Sequence, residues 1–556
     1  MADENNAELV FVPLGGVGEI GMNFALYGFG PPKAREWIVV DVGVTFPGPD
    51  LPGVDLVLPD IRFIEERLDD LRGIIITHAH EDHYGALLDL WPRLKAPVWM
   101  TPFSAGLLEA KRSAEAKSLE VPVEIYKAGS TFQVGPFSIE AIGVTHSIPE
   151  PVSLAITTPV GTVIHTGDWK IDPAPTLPPL IDENRFRELG QKGVAALICD
   201  STNALREGDS PSEEAVGEGI RGVIENAPGR VAITTFSSNV GRIKSVAEAA
   251  LATDRQVLVL GRSLKRVIDV ASDLGYLEGL PSFIGEEDYG YIPRDKVVIL
   301  CTGSQGEARA ALAKLARDEF RNVALSPGDL VIYSSRTIPG NEKATLETKN
   351  LLIEQGIKIV EDSDALVHVS GHPRRSELRR MYEWVKPQIA VPVHGEAAHL
   401  MGHAQLARDC GVTDVPKVRN GDMVRLAPGP SKIIDQVPIG RVMKDGRLIG
   451  DEVATGVRDR RKLSFAGHVA VNVVLDERYD LAGDPDLVAI GIPESDGRGE
   501  DFEEVLLDAA IGAFDSIPRQ RRKDLDMVSE AVRRAVRSSA NEVWGKKPIV
   551  TVFVTR

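Results

Sequence analysis

The sequence predicts an α/β protein in three parts: a layered α/β domain, a parallel α/β unit inserted into it, and a small β/α domain at the C-terminal end. Three observations carry this. Short apolar runs of strand length alternate with helix-length stretches along the whole chain. Near residues 208–214 the composition turns polar, through Gly208-Asp209-Ser210-Pro211-Ser212, and marks a boundary. A chain of 556 residues is also too long for one hydrophobic core, so two to four domains are expected.

Within residues 1–211, Leu9-Val10-Phe11-Val12, Trp37-Ile38-Val39-Val40, Ile74-Ile75-Ile76, Val163-Ile164 and Ala196-Leu197-Ile198 read as strands, with helical stretches at 85–94 and 103–116. Such alternation gives sheets covered by helices. Residues 212–362 repeat a strand–loop–helix rhythm around Val231–Thr235, Val257–Leu260, Val297–Leu300 and Leu330–Tyr333, the pattern of a parallel unit. Residues 363–442 return to strands that carry histidine. The charged, glycine-containing stretch 443–466 reads as a linker. Residues 467–556 read as a small β/α domain, with strands near 469–475 and 549–554 and helices near 502–515 and 525–542. No internal repeat or low-complexity tract is visible.

Composition narrows the class. A hydrophobic content of 43% and a charged content of 26% are ordinary for a globular protein. No apolar run approaches the roughly 20 residues of a membrane span, and Met1-Ala2-Asp3-Glu4-Asn5-Asn6 lacks the architecture of a signal peptide. Cys199, Cys301 and Cys410 are scattered, so a reducing, cytoplasmic location and a His/Asp rather than thiolate metal site are expected. The net charge of −18 argues mildly against a nucleic-acid partner, although a local basic groove can coexist with it.

Thr77-His78-Ala79-His80-Glu81-Asp82-His83 concentrates ligands in a chain that has only eleven histidines. It follows the apolar Gly73-Ile74-Ile75-Ile76, so a strand end would aim imidazoles and a carboxylate at one point, as a divalent ion requires. Downstream, His146 and Asp168 also follow short apolar runs, and Asp41 ends a strand from which a carboxylate could orient a ligand histidine. Gly16-Val17-Gly18-Glu19-Ile20-Gly21 matches G-x-G-x-x-G, but a strand-like alternation follows where a dinucleotide site needs a helix. These glycines are expected to make a tight turn between antiparallel strands.

In order, H-x-H-x-D-H, then His146, Asp168 and a late histidine resemble the metallo-β-lactamase superfamily. Cys199-Asp200-Ser201-Thr202-Asn203, His368-Val369-Ser370-Gly371-His372 and Pro392-Val393-His394-Gly395-Glu396 look like the three motifs of its β-CASP nucleases. Together with Gly16–Asn23, Thr302-Gly303-Ser304-Gln305-Gly306-Glu307 and Pro339-Gly340-Asn341-Glu342, they resemble the bacterial ribonuclease J family over nearly the whole chain. That resemblance implies a metallo-β-lactamase αββα sandwich (1–211 and 363–442) holding an inserted β-CASP domain (212–362). Two divalent ions are implied, zinc first, with manganese or magnesium as alternatives. His78, His80 and His146 would hold one, Asp82, His83 and His394 the other, with Asp168 bridging and Asp82 catalytically essential. Asp200 and His372 are implied as the acid/base pair, in roles left open. Alanine stands at position 79, where the family often has glycine.

Ser237, Ser238 and Asn239, opening a helix after a strand, are candidates for a 5′-monophosphate pocket with His368, Val369, Ser370, Gly371 and His372; the serines could instead cap the helix. Arg242, Arg262, Arg336, Lys343, Arg374 and Arg375 could line a groove for single-stranded RNA. Arg519, Arg521, Arg522, Lys523, Arg533, Arg534 and Arg537 could add RNA contacts or form a solvated helix face. The implied activity is 5′-to-3′ exoribonuclease action on 5′-monophosphorylated RNA with some endonuclease activity, serving mRNA decay and rRNA maturation. A homodimer or homotetramer and partners in an RNA-degradation complex are implied as well. A DNA-directed β-CASP nuclease, a small-ester metallohydrolase and a non-catalytic scaffold are the alternatives.

Overall fold

The computed structural model describes residues 6–114, 119–338 and 340–556. The first five residues of the polar N-terminus, the last part of the expected helix 103–116 and Pro339 of Pro339-Gly340-Asn341-Glu342 lie outside the described residues. By packing, the chain divides into two compact units: one runs up to Thr45 and over Leu58–Arg441, the other comprises Phe46–Val57 and Val442–Arg556.

In the larger unit, an eight-stranded sheet takes the order Lys432–Gln436, Asp422–Ala427, Glu8–Gly15, Phe24–Gly30, Glu36–Val40, Leu71–Ile75, Val98–Met100 and Val123–Ile125. A six-stranded sheet takes the order Ile389–Val393, Ala196–Asp200, Gly161–His165, Val152–Thr158, Phe137–Gly143 and Thr131–Val134. The sheets share one core: Leu9, Phe11, Tyr27, Ile38 and Val40 from the first meet Ile139, Leu154, Ile156, Val163, Ile198 and Val391 from the second. Alternate residues of the six-stranded sheet, Ile142, Ile164, Leu197 and Ala390, pack on helices through Phe186, Leu378, Met381, Trp384 and Leu406. In the eight-stranded sheet, Val10, Val12, Leu26, Val39 and Ile74 are buried alongside their neighbours, so those strands are covered on both faces. This is the αββα sandwich.

Between Asp200 and Ile389 lies a separate five-stranded, wholly parallel sheet in the order Gln256–Leu260, Val297–Cys301, Val231–Thr234, Leu330–Tyr333 and Lys358–Val360. Helices Glu213–Glu225 and Val240–Ala252 begin where Ser212 and Asn239 accept from the backbone N–H three residues on. The glycine-rich segment 16–21 does join the antiparallel strands Glu8–Gly15 and Phe24–Gly30, with Gly16, Gly18 and Gly21 at positive φ and no helix.

In the smaller unit, a sheet in the order Asp486–Ile490, His468–Val474 and Ile549–Thr555 packs Val469, Val471 and Val473 against Leu506, Phe514, Val528, Val532 and Val536 of helices Phe502–Asp515 and Leu525–Trp544. Two expectations are corrected here. The stretch 443–466 is no open linker: strand Arg441–Asp445 turns back through Leu448–Gly450, and helix Val457–Ala466 follows. Its charges pair locally, Arg460 with Asp445 and Arg461 with Glu452, and Val457 and Ala466 of the helix are buried. Residues 46–57, expected within the first domain, pack instead with this unit, where Asp55 N–H donates to Lys444 O at 2.9 Å and Gly446 N–H to Asp55 Oδ2 at 2.7 Å.

Candidate metal centre

The strands ending in Val40, Ile75, Gly143, His165, Asp200 and Val393 each deliver a polar side chain at or just past their C-terminal end. In the six-stranded sheet the four such strands run in one direction, so His146, Asp168, Asp200 and His394 arrive at one edge. The H-x-H-x-D-H segment turns into the short helix Glu81–Tyr84, which places Asp82 and His83 on its first turn. The turn is tight enough that a Cβ on Gly43 would lie 1.7 Å from Asp82 O. Asp41 and His394 hold positive φ, 64° and 51°, so two of the site's residues sit in sparsely populated backbone. His394 N–H donates to Gly16 O at 2.6 Å, and Val17–Gly18 pairs with Gly395–Glu396, so the glycine turn at the start of the chain seats the last histidine.

Hydrogen bonds on the outer side of each ring assign the tautomers. His83 Nδ1 meets Asp41 Oδ2 at 2.7 Å, and His146 Nδ1 meets Gly371 O at 2.7 Å; both partners only accept. Thr77 Oγ1 donates to Asp41 Oδ2 at 2.9 Å and therefore accepts from His78 Nδ1 at 3.0 Å. Thr202 Oγ1 donates to Asp200 Oδ1 at 2.7 Å and accepts from His394 Nδ1 at 2.8 Å. In each neutral ring Nε2 is left unprotonated and facing inward, and that of His83 also accepts from Asn23 Nδ2 at 3.0 Å.

These lone pairs converge with carboxylates. His78 Nε2 and His80 Nδ1 are 3.2 Å apart, and His80 Nδ1 and His146 Nε2 3.0 Å. Asp168 Oδ2 lies 3.7 Å from the first ring nitrogen and 3.6 Å from the third. In a second group, His83 Nε2 lies 3.2 Å from Asp168 Oδ2 and 3.7 Å from Asp82 Oδ2, and His394 Nε2 lies 3.1 Å from Asp82 Oδ2. Tetrahedral bonds of about 2.0–2.1 Å place ligand atoms about 3.3–3.4 Å apart. Both groups have that spacing, both can hold an ion, and Asp168 belongs to each. Asp168 Oδ1 is buried without a hydrogen-bond partner. Lone pairs facing lone pairs and a carboxylate oxygen left unpartnered make a donor set that fits divalent cations.

The electrostatics agree. Against the cost of burial, His83 and His394 hold the Asp82 carboxyl well below the usual range, and His394, His83 and His372 do the same for Asp168. Burial opposes charge on His394, yet Asp168, Asp200 and Asp82 raise it to about 10. Burial lowers His80 to about 4. Protons and metal ions thus compete for the same positions.

Asp200 and His372 form one unit, with Nδ1 to Oδ2 at 2.8 Å. Burial works against both charges, but each partner holds the other ionised: Asp200 is pushed down and His372 up. Thr202 N–H fixes Asp200 Oδ1 at 2.8 Å, and Asn203 Nδ2 bonds Ser370 Oγ at 2.9 Å and His372 O at 3.1 Å, joining two of the motifs. Thr77, Gly43, Thr202 and Asn203 are neighbours of the site that the sequence did not single out, although all but Gly43 stand inside its motifs. His165, at the end of the strand before Asp168, points elsewhere, to Tyr27 Oη at 2.9 Å.

On the phosphate-binding side, Asn239, not a serine, caps helix Val240–Ala252, with its Oδ1 2.9 Å from Arg242 N. Ser237 and Ser238 stay half-buried beside it. His368 Nδ1 and Ser335 Oγ are buried without partners. Burial, then the Arg242 charge, push His368 down to about 3, and Arg336 is a further cation near it. Val369 is buried, and Gly371 gives its carbonyl to His146. A cleft lined by His146, Ser147, Ile148, Pro175–Pro179, Glu213, Asn239 and Gly241 connects the ligand edge with the start of this helix.

Arg242 is a correction. It is fully buried, paired with Glu213, and cannot line an RNA groove. Arg262, Arg336 and Lys343 are exposed; Arg374 and Arg375 are half-buried, the latter 2.7 Å from Glu207. In the smaller unit, Arg519 and Arg522 pair with Asp480, and Arg533 and Arg534 with Glu530, while Arg521, Lys523 and Arg537 are exposed.

Family models match at residues 36–243 (beta-lactamase superfamily domain), 228–352 (ribonuclease J, beta-CASP domain), 356–415 (Zn-dependent metallo-hydrolase RNA specificity domain) and 455–556 (ribonuclease J C-terminal domain). Ribonuclease J of Sinorhizobium meliloti is 66% identical over 99% of this chain and 97% of its own. Those of Mycolicibacterium smegmatis and Mycobacterium tuberculosis are 38% and 37% identical, each over 97% of this chain and 96% of their own. A crystal structure from Enterococcus faecalis V583, described as of unknown function, shares the fold with a TM-score of 0.50 at 17% identity, covering 70% of this chain and 94% of that one. Strand-end ligands, an inserted parallel sheet and end-to-end likeness to these relatives lead to one statement: the chain belongs to the ribonuclease J family.

Proposed function

We propose that this metal-dependent ribonuclease acts as a 5′-to-3′ exonuclease on single-stranded RNA with a 5′-monophosphate, and to a lesser extent as an endonuclease. The observation that carries the reading is the cleft from His146 to Asn239, which joins a cation-seeking edge to a helix start with unpartnered polar atoms around it. A 5′-phosphate held by Ser237, Ser238, Asn239, His368 and Ser370 would place the first internucleotide bond at the ligand edge, which is catalysis by positioning. Val369 and Gly371 supply backbone there, and Arg336 adds charge.

His78, His80 and His146 would hold one divalent ion, Asp82, His83 and His394 a second, with Asp168 shared. Zinc suits the imidazole-rich set, and manganese or magnesium are alternatives. Such ions lower the pKa of water and stabilise charge on phosphoryl oxygens. The protein's own part is to orient its ligands, through Asp41, Thr77 and Thr202, and to manage a proton. With Nδ1 committed to Asp200, His372 presents Nε2 as the donor to the leaving 3′-oxygen, and Asp200 keeps that ring protonated and in place.

We assign residues 1–211, without 46–57, and 363–442 to the metallo-β-lactamase domain, 212–362 to the β-CASP domain and 467–556 to the C-terminal domain; the family matches at 228–352 and 455–556 support the last two. Roles in mRNA decay and rRNA maturation in the cytoplasm, a homodimer or homotetramer, and partners in an RNA-degradation complex complete the reading. No helix among the described residues is long and apolar enough to cross a membrane.

The test is digestion of one labelled RNA carrying a 5′-monophosphate or a 5′-triphosphate, with zinc or manganese, beside Asp82→Ala and a matched DNA. Labelled mononucleotide from the monophosphate RNA alone, absent in the variant, is expected. Internal fragments from both RNAs at equal rates would sink the end-pocket assignment, and equal cleavage of DNA would sink the choice of substrate.

A further inference from the structure

Four buried charged side chains make one connected chain beside the metal edge. Lys170 Nζ lies 2.8 Å from Asp172 Oδ2 and 3.5 Å from Glu213 Oε1, and Arg242 Nη2 donates to Glu213 Oε2 at 2.7 Å. Lys170 and Arg242 are fully buried, Asp172 and Glu213 nearly so. Two cations and two anions cancel, so an apolar cluster of the same volume would be at least as stable. What apolar packing would lack is direction: each oxygen of Glu213 is bound by a different cation.

Those cations belong to the two halves of the site. Lys170 lies two residues beyond Asp168. Its backbone N–H donates to Thr145 O at 2.8 Å and its carbonyl accepts from Thr145 Oγ1 at 2.6 Å, beside His146. Arg242 sits in the first turn of helix Val240–Ala252. Its N–H is held by Asn239, and its Nη1 donates to Val367 O at 3.1 Å, next to His368, and to Ser334 Oγ. Glu213 is itself the first residue of helix Glu213–Glu225, with its N–H on Asp172 Oδ2 at 2.9 Å. The strand-end loops carrying Asp168 and His146 are therefore tied through one carboxylate to the loops carrying Asn239 and His368.

We propose that Glu213 is a positioning residue that sets the distance between the 5′-phosphate pocket and the metal edge, and with it the length of the exonuclease step. The inference rests on the end-pocket reading above. Glu213 borders the cleft, but both of its carboxylate oxygens are taken by Lys170 and Arg242, and it acts through those two cations. A displacement of the pocket of about 1 Å is enough to cost about 100-fold in a reaction that depends on a bound end, whereas internal cleavage does not use that end.

The experiment compares metal-loaded wild type and Glu213→Gln on RNA with a 5′-monophosphate or a 5′-triphosphate, reading rates, KM, first-product length and thermal unfolding. In Glu213→Gln the preference for monophosphate RNA should fall by at least about tenfold, through KM, and the first product should lengthen, while internal cleavage of triphosphate RNA stays close to wild type. A parallel loss of both activities together with the melting temperature, or an unchanged preference, would overturn the inference. Where Glu213→Gln alone does not fold, Lys170→Met with Glu213→Gln restores a neutral sum. That variant, folded and without preference, supports the tie; folded and with preference, it refutes it. Wild type without any monophosphate preference would remove the end-pocket reading itself, before any variant is compared.

Discussion

Thr202 shows how much a single hydroxyl can carry at this site. It donates to Asp200 and accepts from His394, so it fixes a ligand tautomer and the acid's partner at once. Thr202→Val should cost about 10–100-fold in metal affinity or activity, the range for removing an orienting partner; metal titration followed by activity assay checks this, and an unaffected variant would show that His394 is seated by Gly16 alone. Asp82, Asp168 and Asp200 draw protons onto His83, His372 and His394 when no cation is bound, His394 up to about 10. A ligand ring must lose its proton to bind metal, so the sign is set: affinity rises with pH through the neutral range and falls on acidification, with proton release on binding. Calorimetry in two buffers of different ionisation enthalpy measures that release; pH-independent binding would contradict it. At this scale the ligand candidates were legible because they follow apolar runs that stop abruptly. Thr77, Thr202 and Asn203 were not, since their partners are set by strand order, as when Asn203 reaches Ser370. Arg242 was misread because a cation in a motif loop looks the same in sequence whether it faces solvent or a buried glutamate.

Glycines decide how closely the loops approach one another. A Cβ on Gly371 would lie 2.6 Å from the His146 ring, so Gly371→Ala must push a ligand ring out of place. The expected outcome is a loss of about 100-fold in activity with little change in the apo melting temperature, because the loop faces the site and not the core; kinetics beside thermal unfolding checks it, and normal activity would mean the His146 loop yields. Strands were readable here because both-face burial writes continuous apolar runs such as Ile74–Ile76. The segment 443–466 was not, because its hairpin and helix are stabilised by pairs such as Arg460 with Asp445, which carry no apolar period. The helix expected over 85–94 begins at Leu87, after a turn at Gly85 and Ala86 that separates it from the metal-motif helix Glu81–Tyr84.

For the whole molecule, metal should be part of stability as well as of chemistry. Chelation should lower the melting temperature, and zinc or manganese should restore it; at about 100-fold excess over Kd each site adds about 2.7 kcal/mol. An unchanged melting temperature with lost activity would mean the apo edge is already rigid. The three-part plan was legible from the rhythm of the elements, whereas the packing of 46–57 with the C-terminal unit was not, since no local pattern announces a distant partner. The hydrogen bond from His394 to Gly16 has a consequence in time. A ribosome delivers Gly16 first and His394 only after most of the chain, so a nascent or truncated product ending before that histidine lacks one member of the second ligand group. The second ligand group is thereby complete only once the chain has grown past residue 394, whereas the first, which His78, His80, His146 and Asp168 make up, does not wait for it.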